Sequence, residues 1–465
     1  MASRDKEAGR RDTEVSQNVV EFMPVVDVDA NAPARNKCRG IFMAAILLAF
    51  CPALTFADET VAGAAAAEAD AAQLSPAKAY ELKQQEMVRT LKKMDNSLLT
   101  PEIFKAFSSG NRDYRSVLSS GTNGRNPKDM ETLRMGLRYR IYSLSDRDIQ
   151  NDARALEDAY KNLSRDLGRA GSLMPNPGDK QRFRELLFSE AVPMLQKLLD
   201  NNLLARSLAL EALLETIVAT PSNRKPSLYD TVDDIYINVL KSPDQPDVIK
   251  ARTAHSIRKY LVKADAVPQV QIAFATAIIN ELKNNLTDKD YQYVLLTALE
   301  EIAAPREVVG QKRPIVMMAA TDVMRDRSRD NLVRCRAASI LGIAGSDSQI
   351  NYDVLAWAVS ELALEMGSRF NQSQNRSSPE WQLCGWYLYL AFHHADRQKM
   401  SNGFLNRAPK STVVRDAYQN SLPVMLDLMV SKNPVPNAKL GALLKWTNGN
   451  KPNPLVYDPA APPLQ

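Results

Sequence analysis

Apolar side chains recur every three or four residues along most of the chain after Met130, which is the spacing of one face of an α-helix. One such stripe consists of Leu133, Leu137, Ile141 and Leu144. The next consists of Ile149, Ala153, Leu156, Tyr160, Leu163 and Leu167. The two stripes predict two amphipathic helices joined by a short polar turn, which is an αα-hairpin.

Between residues 180 and 345, short breaks that contain Pro and Asp divide the apolar pattern, such as TPSNRKPS, KSPDQPD and KADAVPQ. These breaks supply the turns that a row of two-helix units requires. The predicted first helices of four such units are Phe183–Leu198, Tyr229–Leu240, Val270–Leu282 and Val308–Met324. One hairpin of this size cannot bury both of its faces, so we expect neighbouring hairpins to share a core.

The segments that follow these first helices are similar to one another at intervals of about 42 residues. The clearest copy, VRCRAASILGIAG at 333–345, places a base after an apolar residue, then two small residues and Leu-Gly. Matching segments begin at Tyr291, Ile249 and Leu204, although the first two lack the Leu-Gly end. Residues 333–345 resemble the second helix of a HEAT repeat. The resemblance implies a right-handed αα-solenoid of HEAT-like (armadillo-like) helical hairpins over residues 180–345.

The rest of the chain beyond the N-terminus also has helical patterning, so the predicted fold class is all-α. Residues 76–179 are expected to form an N-terminal helical region, with an irregular loop at 107–128 where Ser, Gly, Asn and Arg are frequent. Residues 346–446 are expected to be divergent or capping repeats, because a terminal repeat has to cover the end of the core. The Pro-rich residues 447–465 are expected to be an extended tail.

The N-terminal segment has the layout of a secretory signal. A basic flank precedes an apolar run over residues 41–57, and Asp58 follows at once. Small residues before Asp58 predict cleavage after Ala57, which makes residues 1–57 a disordered leader. The Ala- and acid-rich residues 58–75 then form a flexible spacer. We therefore expect an exported protein of the periplasm, the cell envelope or the surrounding medium.

An uncleaved signal anchor is the alternative, since seventeen apolar residues are close to the shortest length that spans a bilayer. Residues 41–57 would then hold the protein at a membrane. We expect an interaction with a membrane only if this leader is retained. The polar lead before the apolar run is long, so translation that begins at Met23 or Met43 also agrees with the pattern.

Composition narrows the functional classes. Apolar residues make up 45% of the chain and aromatic residues 7%, which suits helices packed through aliphatic and small side chains. The formal charge of +5 arises from 59 basic and 54 acidic residues, and such a mixed surface argues against nucleic acid as a partner. Beyond the leader, Cys335 and Cys384 are two isolated cysteines, which make no zinc site. We expect two buried thiols, with a disulfide between them as the alternative.

The sequence contains no motif for catalysis or cofactor binding. It has no Gly-rich phosphate loop after a strand, no Gly-x-Ser-x-Gly and no His-Glu-x-x-His. His255 lies within a repeat helix, and the adjacent His393 and His394 point about 100° apart on a helix, so they cannot easily share a metal ion. We therefore predict no catalytic residue, no metal and no cofactor.

Two further charge patterns have structural explanations. The carboxylate pairs at 233–234 and 300–301 are typical of solvated helix faces. The arginines between Arg325 and Arg336 alternate with aspartates, so we expect local ion pairs that stabilise a repeat instead of an anion site.

Large aromatic side chains are concentrated near residues 381–392, and Trp386 and Tyr389 lie on one predicted helix face. Rigid aromatics of this kind anchor protein partners or sugars, so these two are the candidate binding residues. The favoured hypothesis is a non-catalytic exported helical-repeat scaffold that binds an unidentified protein or peptide. The alternative is a carbohydrate-binding or accessory enzyme module of the envelope that uses the aromatic cluster. A nucleic-acid-binding helical repeat is a third hypothesis, which the charge balance opposes.

Overall fold

The computed structural model describes residues 75–122, 124–218, 227–264, 266–303, 309–310, 313–343, 350–393, 402–452 and 456. Within these ranges the chain is all-α, apart from two hairpins of two-residue strands. The described residues divide into two compact units, an N-terminal unit that ends at Ala319 and a C-terminal unit that begins at Ala320. The predicted leader, its cleavage site between Ala57 and Asp58, and residues 58–74 of the spacer lie outside the described residues.

The N-terminal unit contains eleven complete helices in its described part. They are α1 (Pro76–Lys93), α2 (Pro101–Ser120), α3 (Pro127–Tyr142), α4 (Arg147–Asn151), α5 (Ala153–Arg169), α6 (Pro177–Leu198), α7 (Leu203–Leu213), α8 (Val232–Lys241), α9 (Asp247–Lys263), α10 (Pro268–Asn284) and α11 (Lys289–Ala303). A 3-10 turn occupies Ser143–Ser145. Strand β1 (Ile217–Val218) pairs antiparallel with β2 (Ser227–Leu228), and β3 (Val309–Gly310) pairs antiparallel with β4 (Arg313–Pro314).

Helix α12 (Ile315–Arg325) contains the boundary between the units. The C-terminal unit continues with α13 (Asn331–Ile343), α14 (Tyr352–Gln372), α15 (Pro379–Phe392), α16 (Phe404–Arg407), α17 (Thr412–Val430) and α18 (Asn437–Gly449).

Local sequence signals explain where many helices begin. Ser75, Thr100, Asn126 and Asn176 each precede a proline, and each side chain accepts a hydrogen bond from a backbone N–H of the first turn. Proline fits the first helical position because its missing N–H would have no partner there, and its φ is already helical.

The predicted hairpins are present in the N-terminal unit. Helix α6 packs on α7, α8 on α9, and α10 on α11, and the second helices also pack on one another in the order α7, α9, α11. At the matching place α7 and α9 bury an alanine, Ala209 and Ala254, whereas α11 buries Leu296, and all three side chains are fully buried. The helices α7, α9, α11 and α13 begin at residues 203, 247, 289 and 331, which agrees with the predicted period.

The predicted irregular loop at 107–128 is wrong, because α2 extends to Ser120. Phe107, Tyr114 and Leu118 lie on one face of α2 and are buried. The serines that suggested a loop are compatible with the helix, since four of their hydroxyls donate to backbone carbonyls one turn earlier. Gly121, with a φ of 76°, ends the helix and leaves a short connection to α3.

Three other predicted boundaries need correction. The stripe from residue 149 to 167 is divided between α4 and α5, because the Asp152 carboxylate accepts hydrogen bonds from the N–H groups of Arg154 and Ala155 and starts a new helix. The helix predicted from Val308 starts only after Pro314, since a residue before proline avoids the helical region.

The third correction concerns the predicted C-terminal tail. Residues 447–449 belong to α18, and the backbone oxygen of the buried Thr447 accepts a hydrogen bond from Trp357 Nε1 at 2.9 Å. Most of the remaining tail, 453–455 and 457–465, lies outside the described residues.

Helix α1 lies against the turns of the N-terminal unit and is held mainly by polar contacts. Leu91 is its one buried side chain among those described. Near its C-terminal end, Arg147 Nη2 donates to the carbonyl oxygens of Lys92 and Met94 at 2.8 and 2.9 Å. Beyond the helix, Asn201 Nδ2 donates to the Asn96 carbonyl. These bonds attach one end of α1 to the turns before α4 and α7.

The other end of α1 is bonded to the turns before α9 and α11. The Tyr80 hydroxyl lies 2.8 and 2.9 Å from the two carboxylate oxygens of Asp247, and Asn285 Nδ2 donates to the same carboxylate at 2.8 Å. Gln84 Oε1 accepts a hydrogen bond from the Asp247 N–H at the start of α9. The eighteen-residue helix therefore bridges successive hairpins, and Asp247 is the centre of one anchor point.

Burial is the main influence on the Asp247 carboxyl and raises its pKa to about 6. The Tyr80 hydrogen bond and the Lys250 ammonium oppose this rise, whereas the carboxyls of Asp288 and Glu281 add to it. An Asp pKa above its unfolded-state value means that the folded protein binds this proton more tightly. The ionised carboxylate therefore destabilises the fold above about pH 6.

Close contact between helices also characterises the C-terminal unit, where α13 packs on α15 and α15 on α17. A Cβ atom at Gly342 of α13 would lie 2.6 Å from the Ala391 carbonyl oxygen of α15. A Cβ atom at Gly385 of α15 would lie 2.8 Å from the Met425 carbonyl oxygen of α17. Glycine is required at both places because the neighbouring atoms belong to backbone and cannot move aside.

We expect the Asp247→Asn variant to be about 1–2 kcal/mol more stable than the wild type at pH 7, after discounting the pKa shift for solvent screening. The neutral amide can keep the bonds to Tyr80 and Asn285 without a buried charge. The gain should shrink as the pH falls from 6 toward 4, where the wild-type carboxyl becomes protonated. Urea unfolding followed by circular dichroism across this pH range measures the difference in stability between the two proteins. An equal gain at every pH would contradict the raised pKa of Asp247.

We expect the Gly342→Ala variant to lose about 2 kcal/mol of stability or more, because the added methyl meets the α15 backbone. Gly441→Ala is the matched control, since Gly441 is exposed on α18 and has no atom within 4 Å of an added Cβ. Alanine should stabilise that helix by up to about 1 kcal/mol. Thermal unfolding measures the stability of both variants. A Gly342→Ala protein as stable as the Gly441→Ala protein would refute the close contact between α13 and α15.

Candidate functional site

The two candidate binding residues lie together on α15 of the C-terminal unit. The Trp386 and Tyr389 rings stack with centroids 5.7 Å apart and an interplanar angle of 17°. Trp386 is half-buried, whereas Tyr389 is only 5% exposed. The face that they share is therefore not an open aromatic platform, and Tyr389 mainly packs against its neighbours.

Tyr389 connects this aromatic pair to a second helix. Its ring centroid lies 6.3 Å from that of Tyr418 on α17, and Phe392 lies 5.8 Å from the same Tyr418 ring. Tyr418 is half-buried, and its other neighbours belong to a surface groove. The aromatic cluster thus supports one wall of that groove from below.

The groove has a volume of about 480 Å³ and lies along the outer face of α17. A cleft of this size falls within the range of ligand-binding sites in proteins, roughly 300–1,000 Å³. Its lining residues come from α16, α17 and α18: Leu405, Arg415, Tyr418, Gln419, Leu422, Pro423, Leu426 and Lys439. We call this set the α17 groove.

Helical spacing explains why α17 presents this face. The lining positions 415, 418, 419, 422, 423 and 426 follow the three- and four-residue repeat of one helix face. The opposite face is buried in the unit through Val414, Ala417, Ser421, Val424, Met425, Leu428 and Met429. Leu422, Pro423 and Leu426 are half-buried, so they form an apolar floor that solvent still reaches.

Two cations lie in the α17 groove, and they differ in their partners. Lys439 Nζ is bonded to both carboxylate oxygens of Asp427, at 2.9 and 2.8 Å. Arg415 is exposed and donates from Nη2 to the Pro409 carbonyl at 3.2 Å. Among the described residues no carboxylate forms an ion pair with Arg415, so it is the uncompensated charge of the groove.

Proline within α17 leaves a backbone acceptor at the groove. Pro423 has no N–H, so the carbonyl of Gln419, four residues earlier, lacks the helical hydrogen bond that residue 423 would otherwise donate. Both residues line the α17 groove. The groove therefore combines an apolar floor, a cation and a carbonyl that can accept a further hydrogen bond.

The arginines between Arg325 and Arg336 have structural roles in this unit. Arg329 Nε bonds Asp326 at 3.1 Å, as the sequence predicts. Arg334 instead forms a bidentate pair with Glu365 of α14, at 2.7 and 2.8 Å, and its Nε donates to the Met324 carbonyl. The Arg336 guanidinium lies 4.9 Å from the Tyr387 ring centroid. The Arg329 pair is the local kind that the sequence predicts, whereas the contacts of Arg334 and Arg336 join α13 to α14 and to α15.

The histidines and carboxylate pairs do not converge. Burial, and then the charges of Lys259 and Arg252, lower the pKa of His255 to about 4, so it is neutral at pH 7. Asp233 has its pKa raised to about 7 by burial and by the neighbouring Asp234 and Asp230. In the part of the chain that the structure describes, no three His, Cys, Asp or Glu side chains are placed to hold a metal ion. His394 lies outside the described residues.

Cys335 and Cys384 are adjacent and unlinked. Both thiols are free and buried, on α13 and α15. Burial, with a hydrogen bond to the Cys384 thiol as the next influence, raises the pKa of Cys335 well above its ordinary value. Such thiols react slowly because little thiolate is present and reagents cannot reach it.

We expect neither Cys335 nor Cys384 to react with a thiol reagent in the folded mature protein, and both to react in denaturant. The number of thiols that react in denaturant also shows whether the leader has been cleaved. A chain cut after Ala57 has two thiols and an uncut chain has four. A Ser116→Cys variant, exposed on α2, supplies the rate for an accessible thiol. Rapid native labelling of the wild-type protein would contradict the burial of the pair.

Comparison with known proteins adds no relative. No family model matches this sequence, and no curated protein or solved structure matches it either. No helix in the described ranges is both long enough and apolar enough to cross a membrane.

Proposed function

We propose that the chain is an exported, non-catalytic helical-repeat scaffold of the HEAT type, and that it binds a segment of a partner protein in the α17 groove. The predicted leader supports export to the periplasm, the envelope or the medium, with anchoring through residues 41–57 as the alternative. The observation that carries the proposal is the groove itself, a cleft that combines an apolar floor with Tyr418, Gln419 and two cations.

The packing of the N-terminal unit supports the repeat architecture. Three successive hairpins, α6–α7, α8–α9 and α10–α11, place their second helices next to one another. Each hairpin shares its apolar face with the next one, which is the principle of an αα-solenoid. Solenoids of this kind commonly act as binding scaffolds, because stacked hairpins present an extended surface.

Charges along the second helices of the N-terminal unit argue against nucleic acid. Glu211 of α7 pairs with Arg252 and Lys259 of α9, both at 2.7 Å. Arg258 of α9 lies 3.5 Å from Glu301 of α11. Acidic side chains of α7 and α11 therefore neutralise basic side chains of α9, whereas a phosphate backbone requires a continuous basic surface.

The carbohydrate hypothesis has less support than the protein-binding one. Sugar recognition by aromatics requires an open ring face, and Tyr389 is buried beneath Tyr418 and Trp386. The aromatic cluster is better explained as the support of the groove wall, and the partner segment is then contacted by Tyr418 and the α17 leucines.

Site-specific photocrosslinking tests the proposed function. A photoreactive benzoylphenylalanine at Gln419, exposed in the groove, should form adducts with a partner protein when the full chain is expressed with its leader in cells of its source organism. The same group at Gln374, exposed on the α14–α15 loop and outside the groove lining, is the control. Adducts from position 419 that are absent from position 374 support the proposal. Absence of adducts at 419, or identical adducts at both positions, would refute it.

A further inference from the structure

We infer that the α17 groove recognises an extended acidic peptide segment, with one carboxylate side chain at Arg415 and one apolar side chain on the leucine floor. This inference rests on the proposed function, because it names the chemistry of the partner that the groove would bind. Three features of the groove lead to it: its charge, its apolar floor and a helix carbonyl that lacks its usual donor.

The charge of the groove favours a negative ligand. Its lining contains Arg415 and Lys439 and no carboxylate. Asp427 neutralises Lys439 from beside the groove, which leaves the Arg415 guanidinium as the net charge. Arginine binds carboxylates through two parallel N–H donors, and its single bond to the Pro409 carbonyl leaves donors available.

The apolar floor favours a side chain over an inorganic anion. Leu405, Leu422 and Leu426 are half-buried in the free protein, so an apolar side chain placed on them would remove further surface from water. Tyr418, which Tyr389 and Phe392 hold from below, provides a rigid wall. A phosphate or other small anion would gain nothing from this surface.

The Gln419 carbonyl, which lacks its usual helical donor, favours a peptide in particular. It requires an N–H donor, which the backbone of a bound segment supplies and which a fatty acid or a phosphate lacks. Along α17, eleven residues separate Arg415 from Leu426, or about 16 Å at a rise of 1.5 Å each. An extended segment of about five residues spans this length. A short peptide can therefore contact the cation, the carbonyl and the leucine floor together.

Selection from a random twelve-residue peptide library on the full mature chain tests the inference. We expect the enriched peptides to contain Asp or Glu within a few residues of Leu, Phe or another large apolar residue. Fluorescence anisotropy with one labelled enriched peptide then measures affinity, which should fall as the salt concentration rises. Enrichment of basic or uncharged peptides would overturn the inference, even if adducts at position 419 still support a binding scaffold.

Charge reversal at residue 415 tests whether the Arg415 guanidinium binds the acidic side chain of the peptide. The Arg415→Glu variant should bind the labelled peptide about tenfold more weakly or worse, since attraction becomes repulsion. Arg325→Glu is the matched control, because Arg325 is exposed in the same unit and outside the groove lining. Equal affinity of the Arg415→Glu variant and the wild type would overturn the assignment.

Substitution of Pro423 tests whether the Gln419 carbonyl binds the peptide. It also shows whether a change in affinity is independent of a change in stability. Pro423→Ala supplies the missing N–H, so the Gln419 carbonyl gains a donor in its own helix and becomes less available to a ligand. We expect weaker peptide binding without a lower melting temperature. Pro193→Ala in α6 is the matched control, because it makes the same change inside a helix of the N-terminal unit. Unchanged affinity in the Pro423→Ala variant would remove the carbonyl from the proposed site.

Discussion

The structure depends on how closely the helices of neighbouring hairpins can approach. A two-helix unit has two apolar faces and covers only one of them internally, so stability requires another hairpin on the second face. Fully buried alanines on α7, α9 and α11 make this approach possible in the N-terminal unit. In the C-terminal unit, Gly342 and Gly385 leave carbonyl oxygens of the adjacent helix less than 3 Å from where a Cβ would be. Small residues therefore recur in the sequence because neighbouring helices have to approach each other closely.

Much of the helical architecture follows from the sequence because it depends on local signals. Apolar spacing and the Pro/Asp breaks placed α6 to α11 correctly, and α14, α15 and α17 lie in residues 346–446, where the patterning predicts helices. The period of the second helices was visible because each copy packs in an equivalent environment. The chemistry of Arg334 was only half visible, since its partner Glu365 lies on the next helix, 31 residues away.

Other features could not be read from one stretch of sequence. Helix α2 was missed because serine and glycine are frequent in loops, while its helical state depends on Tyr114 filling the space beside Gly136 of α3. The burial of Tyr389 depends on Tyr418, which belongs to another helix. The α17 groove combines residues of three helices, so no single stretch of sequence contains its lining. Pro423 was the available signal, since a proline inside a helical pattern always leaves one carbonyl without its usual donor.

Helix α1 has a mechanical consequence for the N-terminal unit. A row of hairpins joined only by apolar faces can slide and change its pitch at little cost, because such contacts have no preferred direction. Hydrogen bonds at Tyr80 and at Lys92 fix two points on one helix, about 18 Å apart at 1.5 Å per residue. Because an α-helix hardly changes length, α1 fixes the distance between the turns to which its two ends are bonded. Helix α1 thereby adds directional contacts at the turns to the ion pairs that join α7, α9 and α11.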